Sequence, residues 1–188
     1  MPVLHNKTLL RAVAFPNSYL RGTMTAQKHK FEIRISPTKN KSVFTTEHIK
    51  AGTEVLAFQG VLKKIAEIED TTHCLQIDKD LYLTSSGQAD DFVNHSCIPN
   101  CGVRMINANS IYLFAIEDIA PGTELAFDYS TCLSGEHGLM ECFCETEKCR
   151  GNIGAFKDLS EELKVFYMER NAVLPYLLTD HFGARDDS

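Results

Sequence analysis

The chain has 188 residues, of which 44% are hydrophobic and 23% charged. These are ordinary values for a folded domain, and they argue against a disordered, collagen-like or coiled-coil chain. No apolar run approaches the roughly 18 residues of a membrane-spanning helix, so we expect no membrane association. The 25 acidic residues outnumber the 19 Lys and Arg, and the net charge of −6 favours a basic partner over direct nucleic-acid binding.

The charge is unevenly distributed along the chain. Residues 1–31 contain five basic residues and no acid, which leaves 14 basic and 25 acidic residues, a net charge of −11, in the remainder. The leader has no continuous apolar core, so we interpret residues 1–29 as a basic N-terminal arm rather than a secretory or organelle-targeting peptide. The seven cysteines are odd in number. That favours an intracellular protein, cytoplasmic or nuclear, with a metal site over a disulfide scaffold.

The first half of the sequence alternates short apolar runs with turns. Phe31, Ile33 and Ile35 alternate with two charged residues, which predicts a half-buried strand. Residues 39–42 are expected to form a loop before a short apolar element at residues 43–44. The elements predicted next, in chain order, are a strand at 53–58, a short helix at 63–70, strands at 74–77 and 81–83, and one helical turn at 89–93.

The region after residue 100 begins with a predicted β-hairpin. Its strands are residues 103–106 and 111–116, and asparagines occupy the turn between them. A Pro-Gly turn precedes another predicted strand at residues 123–127. Residues 130–157 show no apolar periodicity, which indicates an irregular segment that something other than a core holds together.

The C-terminal region has helical periodicity. Apolar residues from Leu159 to Leu178 recur at helical spacing, which predicts one terminal helix. Asp158 or Ser160 can cap this helix, and Pro175 is expected to kink or end it. Together these elements predict a mainly β domain with irregular loops and a C-terminal helix.

Cys142, Cys144 and Cys149 form a Cys-x-Cys-x4-Cys cluster. Three thiolates this close in sequence can bind one tetrahedral zinc ion, and four thiolates would make the site structural, without an open position for water. Alternatively, the cysteines are small buried apolar residues. The acidic neighbours favour zinc. A fourth ligand has to come from elsewhere, and the candidates are Cys97, Cys101, Cys132 and His137.

Three motifs occur in a fixed order: Asp-Phe-Val-Asn-His-Ser-Cys-Ile-Pro-Asn at residues 91–100, Gly-Thr-Glu-Leu-Ala-Phe-Asp-Tyr at 122–129, and Cys-Phe-Cys-Glu-Thr-Glu-Lys-Cys-Arg-Gly at 142–151. With them the chain resembles the SET-domain protein lysine methyltransferases with a post-SET zinc segment, over roughly residues 30–156. The resemblance implies a β-clip, SET-type fold of short curved sheets with a knot-like crossing. It divides the chain into a SET domain at 30–131, a post-SET segment at 132–157 and a C-terminal helix and tail at 158–188.

The resemblance also implies roles for individual residues. Asn94 and His95 would bind S-adenosylmethionine, and Lys39 and Lys41 would flank it. Cys97 would join Cys142, Cys144 and Cys149 on one structural zinc ion. Tyr129 would line the lysine channel and position the amine. Phe127, two residues earlier, is associated with di- or trimethylation.

The implied activity is S-adenosylmethionine-dependent lysine N-methylation of a basic protein or peptide, histone-like or other. Acidic residues crowd the region that matches the family's substrate groove, where they would favour a basic segment. The alternative is an ordinary solvated face. These residues are Glu67, Glu69, Asp70, Asp78, Asp80, Asp90 and Asp91.

Three features depart from the family pattern. Asn40-Lys41-Ser42 replaces a Gly-x-Gly loop, Phe58 replaces a tyrosine and Asp91 replaces an arginine. Gly adopts positive φ freely, whereas Asn does so sometimes and Ser rarely. These changes support a second hypothesis, in which the chain is a catalytically weak, zinc-stapled SET-like module that binds basic peptides.

Overall fold

The structure is a computed structural model that describes residues 30–36, 40–107, 110–135 and 138–182. The basic arm at residues 1–29, Lys39 and His137 lie outside the described residues. The strands are β1 (Phe31–Ser36), β2 (Asn40–Thr45), β3 (Glu54–Phe58), β4 (Leu62–Lys64), β5 (Leu75–Gln76), β6 (Leu81–Leu83), β7 (Asn94–His95), β8 (Cys101–Asn107), β9 (Ser110–Ala115), β10 (Ala126–Phe127), β11 (Met140–Glu141) and β12 (Asn152–Ile153). The helices are α1 (Glu161–Glu169) and α2 (Pro175–Phe182). The predicted mainly β architecture is therefore confirmed.

The central sheet is antiparallel, with the strand order β3-β9-β8. The predicted hairpin is confirmed as β8 and β9, with Val103 opposite Leu113. Both side chains are fully buried in the main core. Burial of these apolar side chains stabilises the sheet, since each contributes about 1.5–3 kcal/mol when removed from water.

Strands β1 and β2 form a separate antiparallel pair in which Phe31 faces Thr45. The predicted strand at residues 31–35 is confirmed, but its predicted half-burial is wrong, because Ile33 is 47% and Ile35 85% exposed. Among the described strands β1 pairs only with β2, and none of the described residues buries these two side chains. The loop predicted at 39–42 is also wrong for residues 40–42, which pair with β1 as part of β2.

Residues 62–83 form a small sheet with the order β4-β6-β5. The helix predicted at 63–70 is wrong. Residues 62–64 pair with β6 instead, and only a 3-10 turn, Ile65–Glu67, follows. Strand pairing overrides helix propensity in residues 62–83, which we call the insert. The helical turn predicted at 89–93 is confirmed as the 3-10 turn Ala89–Phe92.

Strands β7 and β10 form a short parallel pair that joins the first two sequence motifs. Asn94 lies opposite Ala126, and His95 lies opposite Phe127. The strand predicted at residues 123–127 is reduced to these last two residues. Its earlier part contacts β2 through one bridge, between Phe44 and Glu124. The pairing brings residues distant in sequence to one place.

The C-terminal region contains two helices instead of the predicted one. Of the two predicted caps, Asp158 and Ser160, it is Ser160 that caps α1, and its hydroxyl accepts a hydrogen bond from the Leu163 amide. The chain leaves the helix at Asn171, where φ is +50°. Pro175 begins α2 instead of kinking or ending a helix, which suits a residue that has no N–H to donate in a first turn. None of the helices in the described ranges is long and apolar enough to span a bilayer.

Candidate functional site

Asn94 connects three parts of the chain at one end of β7. Its side-chain amide donates to the Lys41 carbonyl oxygen at 2.9 Å, to Ser42 Oγ at 2.8 Å and to Glu124 Oε1 at 3.1 Å. The Lys41 ammonium lies over the Phe92 ring, 4.5 Å from its centroid. The structure therefore brings Asn94 and Lys41, two of the predicted cofactor residues, to the same place.

Tyr129 follows β10 directly and is tied to the first motif by both its backbone and its side chain. Its N–H donates to His95 Nδ1 at 3.2 Å, and its hydroxyl donates to the Val93 carbonyl oxygen at 2.8 Å. Burial raises the pKa of the Tyr129 hydroxyl well above its ordinary value, so the group stays neutral at physiological pH.

Phe127 is buried and forms an aromatic wall with two other rings. Its ring centroid lies 4.8 Å from that of Tyr129 and 5.8 Å from that of Phe58. Phe58 is the residue that stands where the family pattern has a tyrosine. Phenylalanine rings at both positions make the surroundings of the Tyr129 ring apolar and add no further hydroxyl groups.

A second cluster lies beside Tyr129 and contains soft metal-binding atoms. The ligand atoms of His95, Cys97, Cys142 and Cys144 all lie within 4.8 Å of one another, and the four residues are buried. The sulfurs of Cys97 and Cys142 are 3.8 Å apart, and His95 Nε2 is 3.3 Å from the Cys97 sulfur. Three of the four predicted ligands therefore converge. Three thiols and an imidazole are a donor set that fits zinc.

Cys149, the remaining predicted ligand, lies at the edge of this group. It is exposed, and its sulfur is 3.8 Å from the Cys142 carbonyl oxygen. Sequence reasoning did not foresee that the His95 ring would approach the thiols, although the His-x-Cys spacing of His95 and Cys97 is a usable signal. Cys101 and Cys132, the other candidates, are buried in the main apolar core.

The thiols differ in how readily they ionise. Burial opposes ionisation of Cys144, but hydrogen bonds with the hydroxyl and amide of Thr146 outweigh it and lower the pKa of this thiol below its ordinary value. Burial raises the pKa of Cys97 above its ordinary value. A metal ion binds the thiolate form, so Cys144 is prepared for metal binding and Cys97 would lose its proton on binding.

Asp128 is a fully buried carboxylate between Phe127 and Tyr129. Arg150 binds it with two parallel hydrogen bonds of 2.7 and 2.8 Å, and the Tyr167 hydroxyl donates to it at 2.8 Å. Sequence reasoning missed this interaction completely, because no periodicity or spacing connects the three residues. It joins the second motif, the cysteine segment and α1.

The acidic residues predicted to line a groove fall into two groups. Glu67, Glu69, Asp70, Asp78 and Asp80 are exposed. Asp90 is buried and accepts from the Gln59 amide at 2.9 Å, while Asp91 accepts from the Gly87 amide at 2.7 Å. Those two carboxylates hold loops in place. The insert itself is attached to the post-SET region by Gln76, which exchanges two hydrogen bonds with Ser134, of 2.9 and 3.1 Å.

Comparisons with known proteins agree with this geometry. Residues 40–130 match the family model described as the SET domain. The chain is 35% identical over 131 residues to histone-lysine N-methyltransferase ash1 of Drosophila melanogaster. The aligned region covers 62% of this chain and 6% of ash1.

Solved structures show the same similarity. KRYPTONITE in complex with mCHG DNA and SAH matches with a TM-score of 0.58 and 28% identity, over 67% of this chain and 29% of that one. KRYPTONITE with mCHH DNA, an H3(1-15) peptide and SAH matches with a TM-score of 0.56 and 27% identity, over 67% of this chain and 30% of that one. This chain thus spans less than a third of each protein. Residues 40–130, just under half of the chain, are identified as a SET domain.

Proposed function

We propose that the chain is an S-adenosylmethionine-dependent protein-lysine N-methyltransferase that acts on a lysine in a basic protein segment. The observation that carries the proposal is the parallel pairing of β7 with β10, which brings Asn94 and His95 beside Phe127 and Tyr129. Similarity to ash1, a histone-lysine N-methyltransferase, and to KRYPTONITE in complex with SAH supports the reaction class.

The cofactor would lie against Asn94 and His95, with Lys41 and Lys39 at its side. When bound, S-adenosylmethionine supplies the electrophilic methyl group of an in-line displacement. The chain holds its binding residues in fixed orientations, because Asn94 is hydrogen-bonded to β2 and the His95 ring is held on both nitrogens by contacts with Tyr129 and Cys97. Such preorganisation lowers the free energy needed to orient the reactants.

The substrate lysine has to arrive as a neutral amine. A free lysine has a pKa of about 10.4 and is mostly charged at neutral pH. The apolar wall of Phe127 and Phe58 disfavours the ammonium form by desolvation. The Tyr129 hydroxyl gives its hydrogen to the Val93 carbonyl, so its oxygen lone pairs are available to accept an N–H from the amine. That contact would direct the nitrogen lone pair toward the methyl group.

Product specificity would follow from the wall beside Tyr129. Phe127 is buried against this ring and has no hydroxyl, so it would leave space in the proposed lysine channel for a methylated amine. A polar group at this position would hydrogen-bond a water molecule or an N–H of the substrate amine in that space, and the reaction would stop at a lower methylation state. We therefore propose that the enzyme forms di- or trimethyl-lysine.

Zinc would hold the cysteine segment against the SET domain. The proposed ligands are Cys97, Cys142, Cys144 and Cys149, of which the first three converge with His95. Four protein ligands would leave the ion without a reactive position, so its contribution is structural. The segment has only a small apolar cluster of its own, which is why a metal is needed to order it.

The substrate would be a basic segment, with a histone tail as the leading candidate. Five exposed carboxylates of the insert, at residues 67–80, give it a negative surface that attracts lysine and arginine side chains. The structure of KRYPTONITE in complex with an H3(1-15) peptide supports a histone segment as the partner. A histone substrate would place the activity inside the cell, in the nucleus or cytoplasm.

A second candidate function is binding of basic peptides without methyl transfer. The observation that favours it is the replacement of Gly-x-Gly by Asn40-Lys41-Ser42, which forms part of β2, with Asn40 at a φ of +64°. A paired strand presents fewer free backbone groups to a cofactor than a glycine loop does.

One set of measurements separates these functions. Zinc-loaded protein is incubated with methyl-labelled S-adenosylmethionine and a panel of histones and lysate proteins, and labelled lysines are identified by mass spectrometry. Transfer to a lysine, abolished in Tyr129→Phe, is the result expected for the enzyme. Calorimetry tests the second function. Absence of binding heat at millimolar S-adenosylmethionine, together with binding of a basic peptide, would support it.

A further inference from the structure

The carboxylate of Asp128 is the most completely enclosed charge at the site. Its side chain is fully buried and accepts hydrogen bonds from both terminal nitrogens of Arg150, from the Tyr167 hydroxyl and from the Ser130 amide at 3.0 Å. A buried carboxylate without such partners is strongly destabilising, so the positions of these groups depend on one another. A bidentate Arg–carboxylate pair also fixes their relative orientation.

Both ends of this ion pair are directly attached to groups of the proposed site. Asp128 is the residue between Phe127 and Tyr129, and Arg150 follows Cys149. The Arg150 backbone N–H in addition donates to the Cys97 sulfur at 3.4 Å. Movement of the cysteine segment therefore reaches Tyr129 through one side-chain contact.

The third member comes from outside the SET domain. Tyr167 lies on α1, whereas the SET match ends at residue 130, and only 1% of Tyr167 is exposed. Its hydroxyl and Arg150 Nη1 bind the same carboxylate oxygen, at 2.8 and 2.7 Å. The helix thus contributes a hydrogen bond to the ion pair in addition to apolar packing.

We propose that Asp128, Arg150 and Tyr167 form a positioning network. Through it, α1 holds the cysteine segment (residues 140–153) against the SET domain and fixes the orientation of Tyr129. The effect on Tyr129 rests on the proposed methyltransferase function. The effect on the cysteine segment does not rest on that function, because it concerns only how firmly the cysteines of the segment are held in place.

The test compares two tyrosine-to-phenylalanine variants in the C-terminal helices. Tyr167→Phe removes one hydrogen bond to the buried carboxylate and leaves the ring volume nearly unchanged. Tyr176→Phe is the matched control, because Tyr176 is also buried and its hydroxyl donates to the Cys132 carbonyl oxygen and not to Asp128. For each variant, zinc release to a chromogenic chelator, kcat, KM and Tm are measured.

For Tyr167→Phe we expect zinc release to be about tenfold faster and kcat about tenfold lower, because one hydrogen bond to a charged group is lost. The KM for S-adenosylmethionine should stay within about twofold of the wild-type value. Tyr176→Phe should lower Tm without either change. Arg150→Lys, which keeps the charge but not the bidentate geometry, should fall between wild type and Arg150→Met in zinc release.

Equal effects of the two tyrosine variants on zinc release would overturn the proposal, and so would a wild-type chain that binds no zinc. Absence of methyl transfer by the wild-type protein would instead refute the proposed function. The comparison of zinc-release rates would then still decide whether the network holds the cysteine segment.

Discussion

The Tyr129 hydroxyl donates a 2.8 Å hydrogen bond to the carbonyl oxygen of Val93, the residue immediately before Asn94. Because Val93 is buried, this acceptor is protected from water. The bond fixes the direction of the phenolic hydrogen and so leaves the oxygen lone pairs as acceptors. One side-chain contact therefore couples the proposed lysine-positioning residue to the proposed cofactor-binding residue.

Tyr129→Phe should lower kcat for methyl transfer by about 100-fold or more, the effect typical of a misoriented reactant. The affinity for S-adenosylmethionine should change by less than about threefold, because the remaining contacts of Asn94 and His95 are retained. Transfer is measured with labelled cofactor and affinity by calorimetry.

Tyr112→Phe is the matched control for this variant. Tyr112 lies on β9, outside the two paired motifs in the sequence, and its loss of a hydroxyl should leave transfer unchanged. Wild-type turnover by Tyr129→Phe would remove this residue from the mechanism.

Phe127→Tyr should shift the product toward monomethyl-lysine. The centroids of the Phe127 and Tyr129 rings are 4.8 Å apart, so the added hydroxyl would lie near the Tyr129 ring. There it would occupy space and offer a hydrogen bond to the amine or to a water molecule. Mass spectrometry of one peptide at increasing reaction times gives the product distribution. An unchanged ratio of mono-, di- and trimethylated peptide would show that Phe127 does not set the product.

Removal of zinc should unfold the cysteine segment and leave the central sheet intact. The segment has few buried apolar residues, whereas β8 and β9 pack in the main core. With a strong chelator, hydrogen exchange measured by mass spectrometry should lose protection at residues 140–153 and retain it at 101–115. Loss of protection in both regions at the same rate would contradict a local role for the metal.

Replacement of zinc by cobalt tests whether Cys149 or His95 is the fourth ligand. In Cys149→Ser, a site that uses Cys149 should lose thiolate-to-cobalt absorption relative to wild type, because fewer sulfurs bind the ion. If His95 is the fourth ligand, Cys149→Ser should leave the spectrum unchanged and His95→Gln should alter it. We expect the first result.

Asp91 should stabilise the protein above about pH 4 and lose this effect in acid. Burial disfavours its carboxylate, but hydrogen bonds from Ser85, Ser86 and Gly87 outweigh burial and lower its pKa below the ordinary value. With a lower pKa in the folded state, the stabilisation is complete above the unfolded value of about 3.9. It is lost as the pH falls through the folded value.

Asp91→Asn should accordingly lower the free energy of unfolding by about 1–2 kcal/mol at pH 7, the size expected for hydrogen bonds to a charged group. Denaturant unfolding at several pH values should show the difference from wild type shrinking below about pH 4. Asp80→Asn, at an exposed position, serves as the control. A difference that is constant with pH would mean that the carboxylate charge does not matter.

The elements that the sequence predicts correctly depend on local patterns. The β8–β9 hairpin follows from apolar runs around an asparagine turn, and the capped start of α1 follows from Ser160. The convergence of the two SET motifs was predictable only through the family resemblance, since no local rule pairs residues 94–95 with 126–127.

The parts that were missed depend on tertiary contacts. Residues 62–64 have helix-compatible side chains but pair with β6, and the exposure of Ile33 follows from the absence of a covering layer among the described residues. The Asp128–Arg150–Tyr167 network involves single polar residues in three different regions, so no periodic signal announces it. The approach of His95 to the thiols likewise appears only when β7 and β10 are paired.

The pairing of β7 with β10 involves only two residues from each strand. So short a ladder cannot persist by itself, and its partners are separated by the entire β8–β9 hairpin. During synthesis on the ribosome, the Asn-His-Ser-Cys motif therefore emerges before anything exists to pair with it. A nascent or truncated chain that ends before residue 126 lacks the residues that pair with Asn94 and His95, so the proposed site cannot assemble in it.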